Sequence, residues 1–157
     1  MKKIYLIFTV IFLVSCHKGD KFIDDKSLIF SFHHWGSWIG LEENLSINAG
    51  ATHYSIGYRN LRTSKDIRYE TTAETSNELW NYLLKNFNLN TFTQIKDGAC
   101  RACLDGFDSS FSVTIDGKTF SFYNGDDDVY FKQMQSFFDA IIEQADLLDK
   151  TKLRAPQ

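Results

Sequence analysis

The chain has 157 residues, of which 43% are hydrophobic and 15% aromatic, and its 17 basic and 20 acidic side chains give a formal net charge of −3. This length suits one domain with a sizeable core, and the composition is that of a folded domain. Because the chain is mildly acidic and has no stripe of lysine and arginine, we expect no nucleic-acid partner.

The amino-terminal residues have the layout of a secretory signal. Lys2 and Lys3 form a positive segment, residues 4–14 are apolar apart from Thr9, and a small residue precedes Cys16. An apolar stretch this short cannot span a bilayer, which takes about 20 residues. The alternative is a conventionally cleaved signal without lipid, but the sequence before Cys16 offers no clean site for that cut.

The last four residues of this segment, Leu13-Val14-Ser15-Cys16, resemble a bacterial lipobox. The resemblance implies that the Cys16 thiol receives a diacylglyceryl group, that residues 1–15 are removed, and that the new amino terminus is acylated. It places the protein in the bacterial cell envelope, anchored to a membrane on the periplasmic side or at the cell surface. Apart from this covalent lipid on Cys16, no cofactor is expected. The polar residues 16–26 are interpreted as the lipidated terminus and a flexible tether.

Strand patterns dominate the next part of the chain. Apolar and polar residues alternate in four segments, which are 28–33, 45–49, 52–59 and 67–71. This alternation predicts an antiparallel meander of three or four strands. Two glycines in residues 35–40 indicate a turn or a bulge, and Glu42 and Glu43 are interpreted as part of a solvated loop.

A helix is predicted after the meander. Thr75 and Glu78 have the spacing of a capping box. Apolar residues then recur at helical intervals at Leu79, Leu83, Leu84 and Phe87. The asparagines in residues 86–90 indicate where the helix ends.

A hairpin over residues 111–122 is the clearest local pattern. Asp116-Gly117 is typical of a type I′ turn, and a two-residue loop places Val113 opposite Phe120 and Phe111 opposite Phe122.

A second helix is predicted from the apolar seam that follows, which consists of Phe131, Met134, Phe138, Ile141, Ala145 and Leu148. The steps of three and four residues predict one helix of about five turns. Aspartates 126–128 are interpreted as its cap, because they lack the ligand order of an EF-hand calcium loop.

These elements predict an α+β fold, in which an antiparallel sheet made of a meander and a hairpin carries two helices packed on one face. The expected organisation is a signal peptide at 1–15, a lipidated tether at 16–26, a single α+β domain at 27–149 and a tail at 150–157.

Cys100 and Cys103 remain as a pair once Cys16 carries lipid. Because disulfides persist in exported proteins, the pair predicts a local disulfide. One alternative is a redox-active CxxC motif, although thioredoxin-like enzymes use a cis-proline and the only proline here is Pro156. Another is a zinc site that recruits His53 and one of His33 and His34, but the spacing matches no finger pattern. We therefore expect no metal.

A candidate binding surface consists of His33, His34, Trp35 and Trp38, because aromatic residues with a polar group are common at interfaces; core packing at a bulge is the alternative. No nucleophile elbow or phosphate-binding loop occurs. The sequence thus predicts a non-enzymatic, lipid-anchored binding or interaction module whose partner is an envelope protein or peptide. The alternative is a thiol-redox or metal-binding protein that uses Cys100 and Cys103.

Overall fold

The structure is a computed structural model that describes residues 27–36, 40–60 and 65–150. The predictions for the signal peptide, Cys16, the tether, Trp38 and residues 151–157 lie outside these ranges. The strands are β1 (Ile29–Gly36), β2 (Leu41–Ile47), β3 (Ala51–Asn60), β4 (Lys65–Glu74), β5 (Phe107–Ile115) and β6 (Lys118–Tyr123). The helices are α1 (Asn77–Asn86), α2 (Leu89–Phe92), α3 (Val129–Gln133) and α4 (Gln135–Leu148), and short 3₁₀ helices span Ala102–Leu104 and Gly125–Asp127.

The strands form one six-stranded sheet in the order β4-β3-β2-β1-β5-β6. Every pairing is antiparallel, so β4 and β6 are its edges. Both helical segments pack on the same face, because Trp80 of α1 and Phe137 of α4 lie with their ring centroids 5.6 and 5.0 Å from that of Phe30. The predicted α+β class is confirmed, as is the antiparallel sheet with helices on one face.

The hairpin has the predicted register. Val113 pairs with Phe120 and Phe111 pairs with Phe122. Asp116 has φ +50° and Gly117 has φ +76°, so both turn residues are in the left-handed region that a type I′ turn requires.

The loop predicted around Glu42 and Glu43 is wrong, because β2 begins at Leu41. Glu43 faces the helices and is fully buried, and the Tyr54 hydroxyl donates a hydrogen bond to its Oε1 at 2.9 Å. Glu42 faces the other way and is exposed. A charged residue at a covered position broke the apolar alternation, and for this reason the pattern hid the start of the strand.

The first helix is capped by Ser76 and not by Thr75. The Leu79 N–H donates to the Ser76 Oγ at 3.1 Å, while the buried Thr75 hydroxyl bonds that of Thr52 at 2.9 Å. The capping-box prediction was therefore wrong by one residue. The short helix α2, whose N-cap is Asn88, was not predicted.

The predicted second helix is interrupted at Met134, whose backbone (φ −111°, ψ 16°) leaves the helical region. Residues of the predicted seam are nevertheless buried on both sides of the break. Phe131 of α3 lies parallel to Phe138 of α4, with ring centroids 4.2 Å apart. As predicted for the aspartates, one of them caps this segment: Asp128 accepts the Tyr130 N–H at 2.7 Å.

Candidate functional site

The face of the sheet opposite the helices, here called the open face, is built mainly from short polar side chains. Side chains alternate along a strand, so the residues between the buried ones of β1, β2 and β3 point to this face. Strand register arranges them in two rows across four strands. The first row is Ser31, Ser46, His53 and Thr72, and the second is His33, Asn44, Ser55 and Glu70.

The two rows line an open concavity of about 410 Å³, here called the sheet groove. Its volume lies within the ~300–1,000 Å³ typical of small-molecule sites. Because every strand under the groove is paired, with β2 and β3 as the central ones, the backbone beneath it is held by hydrogen-bonded ladders. Strand pairing therefore fixes the backbone positions from which the side chains of the groove extend.

Hydrogen bonding divides the side chains of the groove into two groups. His53 Nδ1 lies 2.9 Å from the Thr72 Oγ1, and Glu70 forms an ion pair with Arg68. Half-buried polar side chains on the groove floor, by contrast, have no hydrogen-bond partner among the residues that the structure describes. These are Ser31, Asn44, Ser46 and Ser55. Their donors and acceptors face the groove and are available to water or to a ligand.

At one end of the groove, the lining residue His33 stacks on Trp35, which lies beside the groove on the same face. The imidazole of His33 lies 4.6 Å from the ring of Trp35, with 22° between the planes. His33 Nε2 is buried without a hydrogen-bond partner in the described part of the chain and lies 3.8 Å from the Glu42 Oε1. Burial lowers the pKa of His33, and the Glu42 carboxylate offsets this only in part. The imidazole is therefore neutral at neutral pH.

The structure separates the residues of the candidate binding surface. His33 and Trp35 lie together on the open face, whereas His34 lies on the covered face. There His34 stacks on Phe107 at 5.2 Å, and its Nδ1 contacts the Ser109 Oγ at 2.8 Å. Trp38 is outside the described residues. The open-face residues of the groove floor were not singled out from the sequence, because only the strand order brings them together.

Cys100 and Cys103 lie with their sulfur atoms 1.99 Å apart, at disulfide distance. The turn that carries them is held by Asp108, whose Oδ1 accepts the N–H groups of Arg101 (2.6 Å) and Ala102 (3.1 Å). Strand register places Asp108 beside Trp35. The turn therefore borders the aromatic end of the open face.

Asp108 is buried and remains a carboxylate. Burial by itself would raise the pKa of Asp108, but hydrogen bonds from the Asn124 side chain and from two backbone N–H groups outweigh it, and the net pKa is lowered. Asn124 Nδ2 donates to Asp108 Oδ1 at 2.5 Å. Nearby, the Arg101 guanidinium bonds both carboxylate oxygens of Asp126 at 2.7 and 2.8 Å. The turn is thus fixed by polar contacts in addition to its sulfur atoms.

Neither a metal site nor a membrane-spanning helix occurs in the part of the chain that the structure describes. Within residues 27–36, 40–60 and 65–150, no group of three or more histidine, cysteine, aspartate or glutamate side chains is arranged to hold a metal ion. No helix in those same ranges is long and apolar enough to cross a bilayer. The chain matches no protein-family model and no curated protein sequence.

Proposed function

We propose that the chain is a lipid-anchored bacterial envelope protein that acts as a non-enzymatic binding module, with the sheet groove as its ligand surface. The lipobox-like residues 13–16 support the anchor. The observation that carries the binding role is the set of half-buried polar side chains on the groove floor that have no partner among the described residues.

Unpartnered polar side chains on the groove floor favour a binding role, because such groups destabilise a fold wherever they are removed from water. A polar group removed from water without a partner destabilises a fold by about 1–3 kcal/mol, so a groove that keeps several such groups keeps them solvated. A ligand with matching donors and acceptors replaces that water. Because the ladders of β1, β2 and β3 hold the floor rigid, little ordering entropy opposes binding.

The anchor is tested by comparing the wild-type chain with Cys16→Ala in a host that processes lipoproteins. We expect labelled palmitate on the wild type only, and loss of the variant from the membrane fraction, because two acyl chains are needed for stable anchoring. A Cys100→Ser/Cys103→Ser variant is the control and keeps the label. An unlabelled wild type, or a Cys16→Ala protein still in the membrane after carbonate washing, contradicts the anchor.

The binding surface is tested by hydrogen exchange of the full chain with and without a detergent extract of the host envelope. We expect slower exchange over β2 and β3 in the wild type. Ser55→Arg places a long cation in the groove and abolishes the effect. Ser121→Arg is the matched control, because it adds the same side chain to β6, outside the groove. Equal protection in both variants would place the binding surface elsewhere.

A further inference from the structure

We infer that the ligand of the sheet groove is an uncharged, hydroxyl-rich molecule, a neutral glycan laid across strands β1 to β4. The inference rests on the proposed function and names the ligand class for the same groove. It follows from the chemistry of the groove floor, from its charge, from the pairing of its backbone and from its size.

The donors and acceptors of the floor match those of a polyol. Each serine hydroxyl donates one hydrogen bond and accepts others, and the Asn44 amide does both. Register places Ser31 beside Ser46 and Asn44 beside Ser55, so the members of each pair lie one strand spacing apart across the sheet. A sugar presents hydroxyls of the same dual character along its ring edge, and each one can pair with a floor group in either direction.

The charge of the groove disfavours an ionic ligand. Of the side chains that line it, Glu70 carries a formal charge, and that carboxylate is already paired with Arg68. Arg59, on the same face, lies 3.9 Å from Asp66. His33 is neutral at neutral pH for the reason given above. An anionic or cationic ligand therefore gains no unpaired countercharge among the described residues that line the groove, whereas a neutral ligand needs none.

The backbone under the centre of the groove leaves no place for recognition of a peptide by strand addition. That mode needs free N–H and C=O groups at the edge of a sheet. The floor is centred on β2 and β3, and both strands are paired on both sides. The side chains that the two rows present to the groove are all polar, so they favour a polar ligand over an apolar anchor residue. Recognition must therefore come from hydroxyl, amide and imidazole groups.

The dimensions fit a short oligosaccharide. Strands lie about 4.8 Å apart, so a row across four strands spans about 14 Å, and two rows on one face are about 7 Å apart. At the aromatic end, Trp35 is half-buried and is held by its stack on His33. An indole offers an apolar ring and a polar N–H, which suits the C–H face and the hydroxyl edge of a sugar ring.

The test is calorimetric titration of the full lipidated chain in a detergent without sugar headgroups. The probes are cellotriose, maltotriose, mannotriose and chitotriose. We expect at least one to bind with a dissociation constant at or below about 1 mM. Ser55→Arg and Asn44→Ala should each weaken that binding by about tenfold or more, because one blocks the groove and the other removes an amide that bonds the ligand. Ser121→Arg should bind as the wild type does.

Three outcomes would overturn the inference. Binding that Ser55→Arg and Asn44→Ala leave unchanged would place the glycan site outside the groove. Failure of all four probes would exclude a neutral glycan as the ligand class. Self-association that Ser55→Arg abolishes would assign the groove to a second copy of the chain.

The hydrogen-exchange experiment separates these failures from failure of the proposed function. Protection of the groove by the envelope extract, without binding of any probe, leaves the binding role in place and removes the glycan. If the envelope extract gives no protection and no probe binds, both proposals are contradicted. Circular dichroism shows whether Ser55→Arg is folded. If it is not, the effect of Asn44→Ala on binding tests the inference instead.

Discussion

The covered and open faces of one sheet differ in almost every physical property. The covered face carries a dense aromatic cluster. In this cluster the ring centroids of Phe111 and Phe122 lie 4.7 and 5.6 Å from that of Phe138. The open face carries serines, threonines, an asparagine and histidines, and those of the groove floor are only half-buried. The same backbone thus presents an apolar core on one side and a hydrated surface on the other.

The covered face therefore supplies most of the stability, and under the proposed function the open face is the one that binds the ligand. The largest fully buried side chains, among them Phe30, Phe137 and Phe138, belong to the helix-covered core. Because burial of apolar area is the main favourable term in folding, that face supplies most of the stability that holds the strands in place. Exposed positions of the open face can then vary in chemistry without loss of the fold.

Substitutions on the covered face should cause the greatest loss of stability. Phe138→Ala removes a fully buried ring from the centre of the aromatic cluster. It should lower the free energy of unfolding by about 3–5 kcal/mol, through lost burial and an unfilled cavity. Ser112→Ala on the open face should change it by less than about 0.5 kcal/mol. Urea unfolding measures both, and similar costs for the two variants would contradict the division between the faces.

An intermediate effect is expected at Asp108, an exception on the open face because it is buried. Asp108→Asn weakens the bonds from two backbone N–H groups and from Asn124. We expect a loss of about 1.5–3 kcal/mol, the range for hydrogen bonds to a charged group. Asp105→Asn is the control: Asp105 is exposed and has φ +63°, a conformation that asparagine tolerates, so little change is expected.

The pH dependence of this loss provides a check on its cause. The pKa of Asp108 is lowered below its ordinary 3.8, so the folded state binds its proton less readily than the unfolded state does. The stabilisation is complete above about pH 3.8 and disappears as the pH falls through the lowered value. The difference between the wild type and Asp108→Asn should therefore narrow in acid. A constant difference would show that the carboxylate charge is not the cause.

The smallest change in stability is expected from the titration of His33. Its side chain is 37% exposed and is therefore partly screened by solvent. Burial lowers the pKa of His33 below 6.5, so the unfolded state binds this proton more readily. The contribution of His33 to the free energy of unfolding is therefore complete above pH 6.5 and decreases as the pH falls towards the lowered pKa.

Replacement of the neighbouring carboxylate of Glu42 should enlarge this pH dependence. Glu42→Gln removes the charge that raises the pKa of His33, so that pKa should fall further and the loss of stability in acid should become larger. His33→Gln should lack this part of the pH dependence. An NMR titration of the imidazole signals, together with urea unfolding at several pH values, measures both quantities. A rise in the pKa of His33 on Glu42→Gln would contradict the assigned cause.

Local patterns predicted the hairpin well, because a two-residue turn and the alternation beside it fix which residues meet. Val113 and Phe120 are close in sequence, so no other strand decides their pairing. Glu43 was misplaced for the opposite reason. Its burial depends on Tyr54 of the next strand, and a single charged residue at a covered position gives no local sign of such a partner.

The sheet groove could not be predicted for a related reason. Ser31, Ser46 and Ser55 lie in three different strands, and serine is common in loops as well as on solvated strand faces. These residues become neighbours because β1, β2 and β3 are adjacent in the sheet. The aromatic residues of β1 were noticed for their chemistry, but only the register shows that His33 and His34 serve different faces.

The edge strand β4 has a consequence for how copies of the protein coexist. One side of β4 is left unpaired in the sheet, and such an edge is a template for another chain. Here the strand carries charges at Asp66, Arg68, Glu70 and Glu74, which disfavour that association. The proposed anchor would crowd many copies onto one membrane surface. A charged edge would keep those crowded copies from joining their sheets, and each groove would stay accessible.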